Sequence, residues 1–470
     1  MAPPAESPRP PGILATLREA LRGGHGDLTE GPVGRAVVLL AVPMVLEMAL
    51  ESVFAVVDVF WVGKLGAAAV ATVGLTESIL SILYSIAIGL STAATATVAR
   101  RIGERDRERA ARTAVQAIAL GLAIAVPLGV LGALSASRIL AFMGAGPDVV
   151  ASGSRFMAVM LGGNVVIVLL FLINAIFRGA GDATVAMRVL WFANAVNLVL
   201  DPCLIFGLGP FPRLGVTGAA VATTTGRGLA VLLQVAMLAR GTGRIAIRRE
   251  HLALDPRTML ALLKLSGAAI VQSLVATASW IGLVRILAGF GSAALAGYTI
   301  AIRIVVFAIL PAWGMSNAAA TLVGQNLGAG RPERAERSVA LAGLYNMAFL
   351  GAVGLSFVVL ARPLVALFST DPAVLPVGAL GLRVIAAGFP FFAWGLVLSG
   401  ALNGAGDTWT PTVVNLLVFW LLEIPLAWLL AARAGFGPKG VFLAVALGFA
   451  AYAALGALFF RRGKWKERKV

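Results

Sequence analysis

The sequence predicts an all-α integral membrane protein in which twelve transmembrane helices form two pseudo-symmetric six-helix lobes. Three observations predict this fold class: the apolar composition, the uneven distribution of basic residues among the loops, and an internal repeat. Of the 470 residues, 59% are apolar and only 13% are charged, whereas soluble domains carry about 25% charged residues. A soluble fold of this length cannot cover so much apolar surface, so most of the chain must lie in lipid.

Twelve segments provide the roughly 20 mostly apolar residues that a spanning helix needs. They cover residues 36–62, 70–98, 113–137, 153–177, 186–207, 216–239, 259–288, 293–323, 338–361, 378–401, 411–432 and 440–460. Helices 1–6 form an N-lobe and helices 7–12 a C-lobe, with cytoplasmic segments before, between and after them. The predicted boundaries are 1–32 for the N-terminal tail, 33–240 for the N-lobe, 241–257 for the linker, 258–462 for the C-lobe and 463–470 for the basic C-terminal tail.

The N-terminal tail begins with a Pro-rich stretch, MAPPAESPRPPG. Residues 13–21 then place Ile13, Leu14, Leu17 and Leu21 on one helical face. This pattern fits a short helix that lies at the membrane interface, and a frayed tail is the alternative.

Lysine and arginine concentrate in the connections after even-numbered spans and in the C-terminal tail. These residues are Arg100, Arg101, Arg105, Arg107, Arg109, Arg112, Arg240, Arg244, Arg248, Arg249, Arg257, Arg331, Arg334, Arg337, Arg461, Arg462, Lys464, Lys466, Arg468 and Lys469. By the positive-inside rule both termini face the cytoplasm, as in a multi-pass protein of the bacterial inner membrane. The net charge of +16 is therefore an orientation signal that also suits anionic lipid headgroups, and nucleic acid is not an expected partner.

An internal duplication appears when FRGAGD (177–182) is compared with LNGAGD (402–407), at an offset of 225 residues. The same offset relates three further pairs of segments: 103–110 with 328–335, 66–71 with 291–296, and Gly215-Val216 with Gly440-Val441. Because six is even, both halves enter the membrane from the same side and form parallel repeats. Transporters built in this way bind substrate between the halves and alternate access by rocking them. We expect a monomeric transporter.

No enzyme chemistry is visible in the sequence. Cys203 is the single cysteine, which excludes an intrachain disulfide and a thiol metal cluster. The GAGD and GAGRPERA elements lack the lysine and the spacing of a phosphate-binding loop, and we expect cytoplasmic turns there. No catalytic residue and no cofactor are predicted, and the expected partners are organic small molecules and membrane lipid.

Asp201 lies at the centre of an apolar run, NAVNLVLDPCLIFG (194–207), and an ionisable residue inside a span is by default a functional candidate. Asn197 lies one helical turn earlier on the same face. Pro202 withholds a backbone N–H and tends to free a carbonyl one turn back. Carboxylate, amide and carbonyl oxygens together suit a hard cation, and protonation neutralises the same site. The alternative is a structural carboxylate that pairs with a nearby arginine.

The first span carries a stripe of acids. Glu47, Glu51 and Asp58 occupy positions i, i+4 and i+11, within about 40° of one helical face, and Phe54 falls on the same face. Such a stripe is expected to line a water-filled cavity rather than to face lipid. Asp58 is the candidate for the ion site, and Glu51 and Phe54 are candidates for the substrate cavity. Glu47 lies nearer the cytoplasmic end, where we expect a solvated carboxylate.

The balance of charge places a cation site in the N-lobe. Besides the acids already named, the N-lobe spans contain Glu77, a further cavity candidate, and one deep arginine, Arg227. An excess of carboxylates over arginines favours a cation in this lobe.

The C-lobe lacks this constellation, because Leu422 and Leu426 stand 225 residues after Asn197 and Asp201. Its polar candidates are Gln272, Arg285, Arg303 and Glu423. The two arginines are expected to pair with the acid or to cap backbone carbonyls, and they leave the charge of the substrate open.

The quoted motifs resemble one known family. The first span and its continuation read AVPMVLEMALESVFAVVDVFWVGKLGAAAVATVGL, the fifth contains NLVLDPCLIFG followed by GVTGAAVAT, and the second half has VGQNLGAGRPERAERS and NGAGD. Over nearly the whole chain this resembles the multidrug and toxic compound extrusion (MATE) family. The resemblance implies a two-lobe exporter that exchanges Na⁺ or H⁺ for bulky, often cationic organic compounds.

The resemblance also implies which residues form the ion site. They are Asp58, Asn174, Asn197, Asp201 and Thr223, of which Asp58, Asn197 and Asp201 are the candidate Na⁺ ligands. Without the resemblance, a buried asparagine such as Asn174 is more often a packing residue, and a threonine in a span, such as Thr223, usually bonds to the backbone of the preceding helical turn.

The resulting hypothesis is cation-coupled antiport. Loading of Asp58 and Asp201 with H⁺ or Na⁺ removes charge, lets the first span bend or repack, and lowers drug affinity in an apolar cleft. The alternative is a flippase for lipid-linked saccharides, which would favour a broad basic cavity and often extra spans. The sequence leaves the coupling ion and the substrate open.

Overall fold

The computed structural model describes residues 12–24, 26–468 and 470, so most of the Pro-rich N-terminal stretch and Lys469 of the basic tail lie outside the described residues. All regular secondary structure in the described part is helical. Eleven helical segments are long and apolar enough to cross a membrane, and a bent pair of helices provides one further crossing. The predicted all-α fold with twelve spans is confirmed.

The first repeat is preceded by a short helix, α1 (Ile13–Arg22). Its six spans are α2 (Val33–Gly63), α3 (Ala67–Gly103), α4 (Arg107–Phe142), the pair α5 (Pro147–Gly162) and α6 (Asn164–Ala180), α7 (Ala183–Phe206) and α8 (Val216–Arg240). The linker to the second repeat contains a 3₁₀ turn (Arg249–His251).

The second repeat has the same order of elements. Its spans are α9 (Pro256–Ala288), α10 (Ser292–Gly328), α11 (Pro332–Ala366), the pair α12 (Val374–Ala387) and α13 (Phe389–Gly404), a compound eleventh span, and α16 (Pro438–Arg461). The compound span consists of α14 (Trp409–Asn415), π-helical Leu416–Glu423, α15 (Ile424–Trp428) and π-helical Leu429–Arg433. A 3₁₀ turn (Lys464–Glu467) follows.

The helix predicted for residues 13–21 is present as α1. It buries Thr16 and Ala20, whereas Ile13 and Leu14 are 74% and 79% exposed. Its apolar stripe therefore faces away from the rest of the chain, as the interfacial helix of the sequence analysis requires.

The fourth and tenth spans are interrupted at equivalent glycines, Gly163 and Gly388. The axis bends by 52° between α12 and α13. A Cβ on Gly163 would lie 2.7 Å from the Thr224 side chain, and one on Gly388 would lie 3.0 Å from the Phe449 ring. The last span of each repeat, α8 or α16, therefore packs so closely on the break in the fourth or tenth span that only glycine fits there.

The two repeats meet at the end of the molecule that carries the arginine-rich loops after α3, α8 and α10, hereafter the basic face. Helices α3 and α10 cross there with backbones in contact. A Cβ on Gly103 would collide with the carbonyl oxygen of Gln325, and one on Gly328 would collide with that of Arg100. Both contacts obey the 225-residue offset, so the crossing lies on the pseudo-symmetry axis and closes the basic face.

The offset of 225 does not hold in the last span. Gly215 precedes α8 with φ 58° and ψ −137°, and Gly437 precedes α16 with φ 58° and ψ −144°. These two glycines are the structural equivalents, at an offset of 222. The sequence match of Gly215 with Gly440 is therefore wrong as a structural equivalence.

The eleventh span is also out of register with the fifth, in the opposite direction. The backbone N–H of Gly215 donates to the carbonyl of Ile205, and that of Gly437 donates to the carbonyl of Ala431. The offset at the end of the span is thus 226. The π-helical segments of this span, Leu416–Glu423 and Leu429–Arg433, account for the extra residue, because i→i+5 bonding takes more residues per turn than an α-helix.

Candidate functional site

Asp201 is fully buried in α7 and is held by a residue one turn earlier. The orientation of the Asn197 amide is assigned from its surroundings, so that each amide atom meets a complementary partner. Nδ2 then donates to Asp201 Oδ2 at 2.5 Å, while Oδ1 accepts from the Thr223 hydroxyl at 2.9 Å and from the Thr223 backbone N–H at 3.0 Å. Thr223 belongs to α8, so the group joins the fifth and sixth spans. The structure thus brings three of the predicted ion-site residues into one hydrogen-bonded group.

Asp58 lies beside this group, near the C-terminal end of α2. The Asp58 and Asp201 carboxylates are close enough to interact electrostatically. One oxygen of each carboxylate is buried and has no hydrogen-bond partner in the part of the chain that the structure describes. Buried polar atoms are normally satisfied, so this pair of oxygens is suited to a proton or a small hard cation.

Glu51 is tied to an arginine on another span. Arg227 of α8 donates to Glu51 Oε1 at 3.3 Å and to the Tyr84 hydroxyl at 3.0 Å. Asn194 of α7 donates to Glu51 Oε2 at 3.4 Å. The Glu51 side chain remains 24% exposed, and Phe54 is half-buried on the same helix. Glu51 therefore keeps access to solvent, but its charge is already matched.

Glu47 is not solvated, so the expectation for this residue is wrong. Its side chain is 1% exposed and forms an ion pair with Arg178 at 2.7 Å. The Asn174 amide donates to the same Glu47 oxygen at 3.3 Å, and Gln234 donates to Asn174 Oδ1 at 2.6 Å. The side-chain hydrogen bonds of Asn174 thus go to Glu47 and Gln234, and the described residues show none between Asn174 and Asp201.

Arg178 is a residue of this network that the sequence analysis did not indicate. It is 7% exposed, so a second buried arginine besides Arg227 pairs with an acid of α2. A signal for it was present in the repeat: FRGAGD has Arg178 where LNGAGD has Asn403. A charge at one of two equivalent positions indicates a partner that only one lobe provides.

The acids of the N-lobe spans therefore fall into two groups. Glu47 and Glu51 are paired with arginines, whereas Asp58 and Asp201 form no salt bridge within the described residues. Glu77 is exposed on α3 and also forms none there. The two aspartates are distinguished by the absence of a salt bridge together with a buried oxygen that has no partner within the described residues, whereas Glu77 is unpaired but exposed.

The C-lobe candidates do not form a comparable group. Gln272 donates to the Ser399 hydroxyl at 3.0 Å. Arg285 and Arg303 are exposed on α9 and α10.

The expected pairing of the C-lobe arginines with Glu423 is wrong, because no salt bridge joins them within residues 12–24, 26–468 and 470. Glu423 is 3% exposed, and its Oε2 is buried without a partner. The physical reason is direction: the Glu423 side chain packs on α16 at Gly448, whereas both arginines lie on exposed helix surfaces.

A bundle of two parallel six-span repeats with a buried carboxylate group in one of them is that of a membrane transporter. The family model MatE matches residues 43–203 and 268–429, once in each repeat. The chain therefore belongs to the multidrug and toxic compound extrusion (MATE) family, whose members are transporters. The fold class and family predicted from the sequence are confirmed.

Similar proteins cover nearly the whole chain. One is a probable multidrug resistance protein NorM of Thermotoga maritima, 27% identical over 440 residues, which are 93% of this chain and 94% of that protein. Another is an FAD transporter of Shewanella oneidensis, 28% identical over 420 residues, 87% of this chain and 90% of that protein. A solved outward-facing multidrug resistance MATE transporter superposes with a TM-score of 0.88 at 25% identity, over 94% of this chain and 98% of that one. These similarities are to multidrug resistance proteins and an FAD transporter, and they do not favour a flippase.

Proposed function

We propose that this chain is a secondary antiporter of the bacterial inner membrane that exports organic compounds in exchange for H⁺ or Na⁺, with the ion bound at Asp58 and Asp201. The observation that carries the proposal is the pairing of the N-lobe acids. Arginines neutralise Glu47 and Glu51, and among the acids of the described N-lobe spans only the two aspartates combine mutual proximity with buried oxygens that have no partner. Their charge is the one that a mobile cation can change.

The two salt bridges of α2 also indicate which part of the first span can move when an ion binds. The Glu47–Arg178 pair fixes the inner half of α2 to α6, and the Glu51–Arg227 pair fixes its middle to α8. No salt bridge of the described residues holds the outer end at Asp58. A proton or Na⁺ relieves the repulsion of two neighbouring carboxylates, so loading lets this end of α2 pack closer to α7.

Alternating access then follows from the closed basic face, which we place at the cytoplasm together with both termini. With that face closed, the site is reached from outside, as in the outward-facing relative. Ion loading repacks α2 and lowers the affinity of the cleft for the exported compound. One charge that crosses 100 mV contributes about 2.3 kcal/mol, which corresponds to roughly a 50-fold accumulation.

The test is efflux of a fluorescent organic cation from proteoliposomes under an imposed pH gradient or Na⁺ gradient. We expect Asp58→Asn and Asp201→Asn each to lower ion-driven efflux at least roughly ten-fold, because loss of a required charged ligand costs 1.4 kcal/mol or more. Asp148→Asn, in the exposed first turn of α5, is the matched control and keeps wild-type efflux. Full ion-driven efflux in both site variants would refute the mechanism.

One substitution distinguishes coupling to Na⁺ from coupling to H⁺. Na⁺ uses the Thr223 hydroxyl as an oxygen ligand or as support for Asn197, whereas a proton needs only the carboxylates. Thr223→Val is expected to weaken Na⁺-driven efflux several-fold and to leave H⁺-driven efflux near wild type. Equal loss under both gradients would show that Thr223 acts only by shaping the site.

A second candidate differs in the charge of the substrate. Arg303 is exposed on α10, and a relative is an FAD transporter, so an anionic organic compound is the alternative cargo. Flavin export measured in the same vesicles, with Arg303→Gln as the variant, decides between the two: the variant abolishes export of an anion and spares export of a cation.

A further inference from the structure

We propose that the C-lobe contains a proton-binding site at Glu423, in the place that corresponds to the N-lobe ion site. The proposal concerns the other lobe and does not rest on the proposed function. The register of the two repeats locates this site, because the constant offset of 225 from the sequence motifs does not hold in the last two spans.

Two glycines identify Glu423 as the counterpart of Asn197. A Cβ on Gly226 of α8 would lie 3.4 Å from the Asn197 backbone nitrogen and 3.5 Å from its Cβ. Gly448 of α16 follows Gly226 at the offset of 222 that applies to these helices, and a Cβ there would lie 2.5 Å from Glu423 Oε2. The offset of 226 at the end of the eleventh span likewise relates Asn197 to Glu423, not to Leu422.

The other counterparts in the C-lobe are apolar. At the offsets of their own helices, Leu283 replaces Asp58, Ala427 replaces Asp201 and Val445 replaces Thr223. All three are buried, with at most 4% exposure. Hard cations are held by several oxygen ligands, and this pocket supplies a single carboxyl group. The C-lobe site therefore suits a proton and not Na⁺.

Within the described residues, no positive charge pairs with Glu423. The basic side chains of α9, of the middle of α10, of α16 and of the eleventh span itself are exposed, and none of them forms a salt bridge with Glu423 there. They are Arg257, Lys264, Arg285, Arg303, Arg433, Lys439 and Arg461.

Two tyrosines on the elements around Glu423 are also buried. Tyr298 of α10 is 2% exposed, interacts electrostatically with Glu423 and has a hydroxyl without a hydrogen-bond partner. Tyr452 of α16 packs against Phe419. Neither supplies a positive charge, and an uncompensated carboxylate in such surroundings is strongly disfavoured. Glu423 accordingly holds its proton in this state.

Infrared spectroscopy of the purified protein in lipid nanodiscs tests the proposal. The background is Asp58→Asn/Asp201→Asn, which removes the carboxyl groups of the N-lobe ion site. We expect a carbonyl-stretch band of one protonated carboxylic acid per chain at neutral pH, insensitive to Na⁺. Glu423→Gln, which matches the neutral acid in shape, removes the band, and Leu422→Gln, on the adjacent exposed residue, keeps it.

Persistence of the band in the Glu423→Gln protein, or its absence from the background protein, would overturn the proposal. Glutamate labelled with ¹³C at the carboxyl carbon provides a second measurement that needs no substitution, since a proton on Glu423 shifts the band of a glutamate and not of an aspartate. Because the N-lobe aspartates are already replaced, failure here is distinguishable from failure of the proposed antiport mechanism.

Discussion

At the scale of single residues, the Glu47–Arg178 pair explains how α2 is held without being immobilised along its whole length. Burial of one charge without the other is costly, and the pair is acceptable only because further hydrogen bonds satisfy it. Asn174 and Gln234 extend the network to α6 and α8. The first half of α2 is thereby anchored by charge, whereas no salt bridge of the described residues holds the C-terminal end of α2 at Asp58.

The anchor can be tested by removing its positive member. Arg178→Gln leaves the fully buried Glu47 carboxylate uncompensated, so we expect a loss of stability of about 3–5 kcal/mol, seen as a lower midpoint of thermal unfolding in detergent. Glu47→Gln/Arg178→Gln restores most of it, because no buried charge remains.

The control for this cycle is Arg112→Gln, whose partner Glu108 is exposed, and its expected effect is below about 1 kcal/mol. A double variant that unfolds as early as Arg178→Gln alone would show that the arginine acts through packing rather than charge.

The same residues show how far the site could be predicted. Acids inside an apolar run are visible in a sequence because their burial is costly, and Asp58 and Asp201 stand out for that reason. Their partners are not visible: Glu47 and Arg178 are 131 positions apart, and their contact depends on how α2 packs on α6. The roles of the ion-site residues themselves stay predictions.

At the scale of helices, close crossings depend on glycines placed symmetrically about the axis. Gly103 and Gly328 bring the backbones of α3 and α10 together at the basic face, and an alternating-access cycle must separate this crossing. The contact is between backbones, so neighbouring side chains cannot move aside to accommodate a methyl group.

We therefore expect Gly103→Ala and Gly328→Ala to favour states in which the basic face is open. Overpacking costs about 1–3 kcal/mol, which corresponds to roughly a 5- to 150-fold shift between states. Spin labels at Glu104 and Ala329, on the loops after the two helices, report the distance distribution. Gly74→Ala in the same helix α3, where a Cβ meets nothing within 4 Å, is the control; an unchanged distribution in the Gly103 and Gly328 variants would show that the crossing does not limit opening.

At the scale of helices, the sequence predicted the spans, because the lipid bilayer sets the length of each. It did not predict the places where the register between the two repeats changes. Spans were predicted because each needs a long apolar run, and the breaks at Gly163 and Gly388 were missed because a glycine in such a run leaves no trace in hydropathy. The π-helical segments of the eleventh span add one residue to its length relative to the fifth span, without changing its apolar composition. A constant offset therefore compared Asn197 with Leu422 and concealed the acid beside it.

At the scale of the whole molecule, residues 26–31 form a clasp across the two lobes at the basic face. Arg334 of the C-lobe donates to the carbonyls of Gly31 and Glu30 at 2.7 and 2.8 Å. Arg105 of the N-lobe pairs with Glu30 at 3.0 Å, and Arg244 of the linker donates to the carbonyl of Gly26 at 2.7 Å. The equivalent arginine loops after α3 and α10 thus both bind residues 26–31. The bonds of this segment to one of the lobes must break when the basic face opens.

The pH dependence of this clasp follows from Asp27, which lies outside the spans. Although partial burial raises its pKa, hydrogen bonds from Thr29 and the charge of Arg105 hold the pKa below the usual value. A carboxyl group with a lowered pKa contributes stability at higher pH and loses it as pH falls through that lowered value. The Asp27 contribution is therefore constant between pH 6 and 8, and any pH effect on transport in that range must come from other groups.

Release of the clasp is the corresponding prediction. Arg331→Gln/Arg334→Gln removes the C-lobe donors, Arg331 being bonded to the Thr29 carbonyl at 2.5 Å, and costs about 1–2 kcal/mol in total. We expect modification of a cysteine introduced at Ala99, which is fully buried beside Gly324, to accelerate roughly 5- to 30-fold in a Cys203→Ser background.

Arg337→Gln provides the matched control, since this arginine is exposed on the same helix and forms no salt bridge in the described part of the chain. Equal modification rates in the double variant and the control would mean that the segment merely rests on the basic face. A faster rate confined to the double variant would show that the energy of the clasp opposes opening, so that the N-terminal segment sets the balance between the two access states without touching the ion site.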